Sequence, residues 1–249
     1  MKNILMGVNI TTTYGNTTIH DNVSWNINQS EIYGFLGGSG SGKTTLMKTM
    51  MYLKKPDNGN IFFEQKDIWN SSQEQIKDIK LSCGSMFQFG ALFGSMNILQ
   101  NVGVMLKEYS DFKQSQIDEI SMFWIQKVGL KKQAAFLYPA ELSGGMKKRA
   151  ALARALVLSP KVLFLDEPNS GLDPVSSREM DKLVCSLRDS LGITIVMVTH
   201  DADSIFDILD RFLIIDNKKI AFEGNLKELE KIDINPLEEL FKMRKNNGK

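Results

Sequence analysis

Residues Gly37 to Thr44 read GGSGSGKT: a glycine, four residues, then Gly-Lys-Thr, after an apolar run and before a segment of helical spacing. In that setting glycines let successive backbone N–H groups close around phosphate oxygens, and the following helix adds the positive end of its dipole. Lys43 would reach β- and γ-phosphates, and the Thr44 hydroxyl is suited to ligate Mg²⁺. The candidate phosphate seat runs through Gly37, Gly38, Ser39, Gly40, Ser41, Gly42, Lys43, Thr44 and Thr45.

A second constellation is VLFLDE, Val162 to Glu167, four apolar residues followed by two carboxylates. A buried parallel strand ending at Asp166 delivers that carboxylate to the side where open α/β sheets bind ligands, which suits a Mg²⁺ shell. Glu167, one residue on, could orient and deprotonate a water in line with a γ-phosphate. Taken alone, the fragment also fits a strand ending in two solvated acids. His200 closes another apolar run, ITIVMVTH. Strand carboxyl ends converge in a parallel sheet, so His200, Asp166 and the glycine loop are expected to meet. In LSGG, Leu142 to Gly145, Ser143 is either a plain helix N-cap or, with Gly144 and Gly145, a second phosphate seat at a helix N-terminus. Gln88 stands in the otherwise apolar or small run MFQFGALFGSMNIL, which is core or a docking surface.

These residues need elements to carry them. Short β-rich runs open the chain (NILMGVNITT, TTIHDNVSWNIN, EIYGFLGG) and predict an antiparallel edge followed by a buried strand. A helix is expected from Lys43 to about Met51, then strands at GNIFFEQ and near Ser82 to Phe87. Helical spacing runs from about Phe89 to Leu158 and predicts a helical subdomain. From Lys161 strands and helices alternate (KVLFLDE, PVSSREMDKLVCSLRDSLG, ITIVMVTH, DADSIFDILDR), the pattern of a parallel sheet covered on both faces. The tail PLEELFKMRKNNGK reads as a short amphipathic helix with a basic stub.

A formal net charge of +1 with dispersed charges offers no basic stripe for nucleic acid. Cys83 and Cys185 lack metal-ligand spacing and are expected as buried thiols in a reducing compartment. The first residues show no signal-peptide core, and no run reaches the roughly 20 apolar residues of a membrane span. A soluble, cytoplasmic chain is expected.

In this order, the glycine loop, Gln88, LSGG, VLFLDEP, SGLD at Ser170–Asp173 and VTH closely resemble the nucleotide-binding domain of ABC transporters, over essentially the whole chain. The resemblance implies a P-loop α/β fold: a mostly parallel core with helices on both faces, an antiparallel β edge and an inserted helical subdomain. Within one domain spanning 1–249, the core and edge would occupy 1–88 and 159–225, the helical signature subdomain 89–158, and a C-terminal helix and tail 226–249. It implies ATP and Mg²⁺ as cofactors, and a head-to-tail dimer of two copies sandwiching ATP. Ser143 and Gly145 would then grip the γ-phosphate in trans, Asp173 would cross the interface, and Tyr14 of TYGN would stack on adenine. Gln88 would reach Mg²⁺ and water, and the apolar Phe89–Leu99 would receive a membrane permease on the cytoplasmic face. FQFGALFGSMNILQNV, ELSGGMKKRAALARAL with Met146, and VTHDADSIFDILDR look like the ATPases of Mla-type phospholipid-trafficking systems, which work with a permease, an MCE-domain lipid-binding protein and, in some systems, a small regulatory subunit. Asn169 departs from the threonine common in DEPTSGLD. A cassette for another cargo, or a non-transport ABC ATPase, are the alternatives.

Overall fold

Alternating burial along Asn3–Tyr14 (β1) and Thr17–Asn28 (β2) gives each run one dry and one wet face, the condition for an antiparallel pair. They pair through a turn at Gly15, whose φ of 56° suits glycine, with Tyr14 opposite Thr17. On the other side of β1 lies Asn58–Phe63 (β4), Leu5 opposite Phe63, followed by Lys66–Asp67 (β5). This sheet, β2-β1-β4-β5, is the expected antiparallel edge. The computed structural model describes residues 2–231. They fall into two units: the chain up to Lys80 with the chain from Cys185 on, and Leu81–Val184.

The first unit also holds the uniformly apolar strands. Ile32–Gly37 (β3) is buried but for its last residue, and Thr194–Val198 (β8) is buried throughout, as strands covered on both faces must be. They run parallel, Ile32 opposite Ile195, and on the other side of β3 runs Arg211–Asp216 (β9), also parallel, Tyr33 opposite Arg211. Lys219–Gly224 (β10) closes antiparallel on β9. The helix Lys43–Met50 (α1) packs Leu46, Met47 and Met50 against β3 and β8.

The second unit pairs Cys83–Met86 (β6) parallel to Val162–Asp166 (β7), Cys83 opposite Val162. Over β6 lies Gly144–Leu156 (α5), whose buried Ala150, Ala151, Ala153 and Ala155 permit close approach. A Cβ on Gly84 would sit 2.2 Å from the Ala155 carbonyl oxygen. Ile98–Tyr109 (α3) and Gln114–Lys127 (α4) pack with α5, and Pro174–Leu191 (α6) follows β7.

Several expectations are corrected. Residues 89–97 are not helical; α3 starts only at Ile98, capped by Asn97, whose side chain accepts from Gln100 N while Gln100 returns the bond. The reason is Asn101. Fully buried on α3, it donates from Nδ2 to the carbonyls of Phe93, Met96 and Asn97 and accepts at Oδ1 from Phe93 N at 2.7 Å. The loop's backbone is thus satisfied without a helical ladder. Gln73–Leu81 (α2) and the β9–β10 hairpin were not foreseen, and the helix expected over DADSIFDILDR is only Ala202–Asp207 (α7). The cysteines form no disulfide and are half-buried rather than buried, although burial pushes the Cys83 thiol up to about 12. Leu226–Leu229 (α8) begins the C-terminal segment, and the amphipathic helix expected in PLEELFKMRKNNGK lies outside the described residues. Among the described residues no helix is long and apolar enough to cross a membrane.

Asn101→Ala strands several loop groups at once and should lower unfolding stability by about 2–4 kcal/mol, read from the urea midpoint at unchanged m-value.

Candidate active site

In the first unit, β3 ends at Gly37 and the chain turns through exposed Gly38, Ser39 and Gly40 into α1. Gly37, Gly40 and Gly42 have φ of 143°, 78° and 102°, all in the region that favours glycine. At Gly37 a Cβ would lie 2.5 Å from the Ile215 carbonyl oxygen; at Gly42, 2.5 Å from His20 Nε2. Gly42 is the N-cap of α1 and brings no capping side chain of its own. A glycine turn leading into a helix N-terminus is the arrangement that takes a phosphate. Lys43 Nζ donates to the carbonyls of Gly37 (2.8 Å) and Gly38 (2.9 Å), so the ammonium lies across the loop. Thr44 and Thr45 follow in the first turn of α1, half-buried. The residues fit a nucleotide's phosphates: a helix start behind a glycine turn and an ammonium fixed across it.

Tyr14, 51% exposed at the end of β1, has one ring face within 4.5 Å of Lys54 Nζ. That geometry suits a cationic edge beside an aromatic platform. His200 is exposed and lies two residues beyond the end of β8 rather than within it.

In the second unit, β7 delivers Asp166, 8% exposed, at its C-terminal end as expected. Glu167 follows with φ 51°, a left-handed conformation that non-glycine residues adopt at a cost, usually at functional sites. Gln88 is half-buried two residues past β6, and the turn after it is held by Arg154 of α5, which donates to the carbonyls of Gly90 and Ala91, both at 2.7 Å. Ser143 is the N-cap of α5, its Oγ accepting from Met146 N at 3.3 Å, with Gly144 exposed beside it. A Cβ on Gly145 would meet Leu172 Cδ2 at 3.6 Å, so the LSGG turn abuts the SGLD turn. Asp173 is exposed and caps α6: Oδ1 accepts from Val175 N and Ser176 N, Oδ2 from Ser176 Oγ. The Ser176 bonds hold its carboxyl below the usual range. Asn169, the departure, donates to Asp181 of α6 at 2.8 Å, both buried.

The sequence-predicted residues are therefore carried by two units: the glycine loop, Tyr14 and His200 by the first, and Gln88, Ser143, Gly144, Gly145, Asp166, Glu167 and Asp173 by the second. Two residues were missed. Lys148 of α5, 7% exposed, donates to the carbonyls of Glu167 (2.9 Å) and Pro168 (2.7 Å). His20 of β2 is fully buried under Gly42 and shares a 2.6 Å hydrogen bond at Nδ1 with Thr12 Oγ1. Burial pushes it down to about 4, a Gly42 backbone hydrogen bond opposing. A histidine among the inward residues of β2 (His20, Val23, Trp25, Ile27) was the available signal.

Fold and loop geometry define a P-loop nucleotide-binding protein. Residues 20–170 match the ABC transporter family. The chain is 35% identical, over 92% of its length and 86% of the relative's, to the "Intermembrane phospholipid transport system ATP-binding protein MlaF" of Haemophilus influenzae. It is 37% identical, over 88% of its length and 62% of the relative's, to the "Probable ribonucleotide transport ATP-binding protein mkl" of Mycobacterium tuberculosis. Among solved structures, the ATP-binding cassette MJ0796, captured as a dimer in a post-hydrolysis state bound to ADP and Pi, superimposes with a TM-score of 0.81 at 26% identity, covering 89% of this chain and 98% of that one. The chain belongs to the ABC transporter ATP-binding family and is an ATPase.

His20 sets a pH dependence. Above the unfolded value of 6.5 both states are neutral; between 6.5 and about 4 the unfolded chain binds a proton that the native chain refuses. Stability present above pH 6.5 is lost as pH falls towards 4, by up to about 3 kcal/mol at that value. His20→Leu should lack this component, so its stability relative to wild type should rise between pH 7 and pH 4 in denaturant titrations.

Proposed function

We propose that this chain is the ATP-hydrolysing subunit of a membrane transporter that moves phospholipid, working as a dimer of two copies peripheral to the cytoplasmic face of the inner membrane. The observation that carries the catalytic part is the positive-φ glycine turn Gly37–Gly42 opening α1, with Lys43 laid across it. The similarity to MlaF supports the cargo.

On this reading the α1 amides, Lys43, Thr44 and Thr45 hold the ATP phosphates, and Tyr14 takes the adenine against its ring. Mg²⁺ would be held by Thr44, Gln88 and Asp166. No cluster of three His, Cys, Asp or Glu suited to a metal occurs among the described residues, in keeping with an ion that keeps waters and phosphate oxygens around it. Glu167 takes the proton of the attacking water; His200 and Gln88 orient that water and the γ-phosphate. Ser143, Gly144 and Gly145 at the α5 terminus grip the γ-phosphate of the partner copy's ATP, and Asp173 crosses that interface.

Permease docking is supported by exposed apolar side chains in the second unit: Phe89 is 88% and Phe93 49% exposed. Beside them lies a groove of about 430 Å³ lined by Phe87, Phe93, Val104, Tyr109 and Arg154. Surfaces of this kind mark interaction sites. An MCE-domain protein and a small regulatory subunit would complete the assembly, without nucleic acid. The similarity to mkl favours a second reading in which the cargo is another solute.

Purification from native membranes in mild detergent is the test: a multi-span permease with an MCE-domain protein and bound phospholipid is the expected result, and a permease with a different soluble partner would overturn the lipid assignment. Glu167→Gln should lower kcat at least about 10²-fold while ATP still binds and the dimer persists on gel filtration. Steady-state hydrolysis at the wild-type rate would remove Glu167 from the role of base.

A further inference from the structure

The loop after β7 has an unusual support. Lys148 lies in α5 a little over one turn past its N-cap, Ser143. An ammonium has three hydrogens, and this one meets three acceptors: the Glu167 carbonyl at 2.9 Å, the Pro168 carbonyl at 2.7 Å and Ser170 Oγ at 3.4 Å. Burying a lysine beside loop carbonyls is expensive, and desolvation lowers it to about 8, with the Glu167 charge opposing. Glu167 itself sits at φ 51°, a strained conformation that persists only where its surroundings over-determine it. Lys148 binds the carbonyl of this strained residue and of the next one, which is where such a constraint has to act. A filler for the space would need no charge.

We propose that Lys148 is a positioning residue for hydrolysis: from the signature helix it locks the Glu167–Ser170 loop, so that the aim of the Glu167 carboxylate is set by where the first turns of α5 lie. The helix that begins with Ser143, Gly144 and Gly145 and the carboxylate that follows β7 then move as one piece, joined through a single side chain. This inference rests on the reading of Glu167 as the base.

Lys148→Met keeps most of the side chain's volume and removes the donors. The full chain carrying it should bind a fluorescent ATP analogue with unchanged affinity and melt cooperatively, yet show kcat lowered about 10–100-fold, the penalty of a misaimed group. Lys148→Arg, which still donates to paired carbonyls, should recover several-fold of that loss. Glu167→Gln is measured alongside. If Lys148→Met turns over like wild type while Glu167→Gln is dead, the positioning role is wrong and the base assignment stands. If Glu167→Gln turns over like wild type, the base assignment fails and this inference with it. If affinity and kcat fall together, and Lys148→Arg rescues neither, Lys148 only holds the fold and the proposal is overturned. Should Lys148→Met not fold, Lys148→Gln, which retains amide donors, is read by the same criteria.

Discussion

A glycine turn that must open directly into a helix is the constraint on which the first unit depends. Gly42 caps α1 without a side chain, which costs roughly a few tenths of a kcal/mol relative to Ser, Thr, Asn or Asp. The turn holds Gly42 at φ 102°, and the missing Cβ there is what admits His20 beneath the loop. His20 in turn must stay neutral, since a charged imidazole would face both a dry core and the positive end of a helix. Gly37 is fixed from the other side by the Ile215 carbonyl of β9. The deficit is offset by β3 and β8, and by Leu46, Met47 and Met50 of α1, all withdrawn from water. A loop that looks permissive in composition is thus held on every side but the open one.

The second unit solves a different problem. Its loops run close to packed elements, so their carbonyls need donors. Asn101 of α3 serves the carbonyls of 93–97, and α5 serves the loops on either side of it. Along α5, Lys148 serves Glu167 and Pro168, Arg149 donates to the Val128 carbonyl at 2.8 Å and reaches Glu179 at 2.9 Å, and Arg154 serves Gly90 and Ala91. The alanines between them bring the helix close enough for these reaches. The exposed Arg149–Glu179 pair adds little stability by itself; the carbonyl bonds, which replace water, add more. The loops after Gln88 and after β7 are therefore referred to the same rigid element.

What the sequence showed and what it hid follow from this. The apolar strands β3, β7 and β8 were legible because burial on both faces leaves few polar residues in them, and α1 because its loop has a fixed spelling. α2 was hidden by having only Ile76 and Ile79 as an apolar face, although the reciprocal Ser72–Gln75 cap announces it. The β9–β10 hairpin turns at Asn217 and Lys218, both with positive φ, where glycine normally gives the signal. The segment 89–97 has helical spacing but is stitched by a buried asparagine eight residues downstream of Phe93, a tertiary bond no local pattern reports. The motifs led to positions in the fold: the glycine loop after β3, Asp166 at the end of β7 and Ser143 at the α5 N-cap. His20 and Lys148, which support loops from beneath, carry no motif, and for His20 the one signal was its place among the inward residues of β2. Asn169 is the reverse case: a departure from the family pattern whose reason is its partner, Asp181.

The two roles open for Ser143 are compatible once the geometry is considered. A hydroxyl has one hydrogen to give and two lone pairs to receive. As N-cap, Ser143 Oγ uses one lone pair on Met146 N, at a long 3.3 Å. Its own hydrogen is not spent by that bond, so a cap of this kind holds the helix start in place while leaving a donor for an anion. An aspartate at the same position would cap the helix as well and repel a phosphate. Asp173 shows the contrast: it has no hydrogen to donate when ionised, and its oxygens serve α6. These three helix starts differ: a glycine at α1, a donor-bearing hydroxyl at α5 and a carboxylate at α6. On the proposed reading the first two face phosphate and the third faces the partner copy, which is the order of their electrostatic tolerance for an anion.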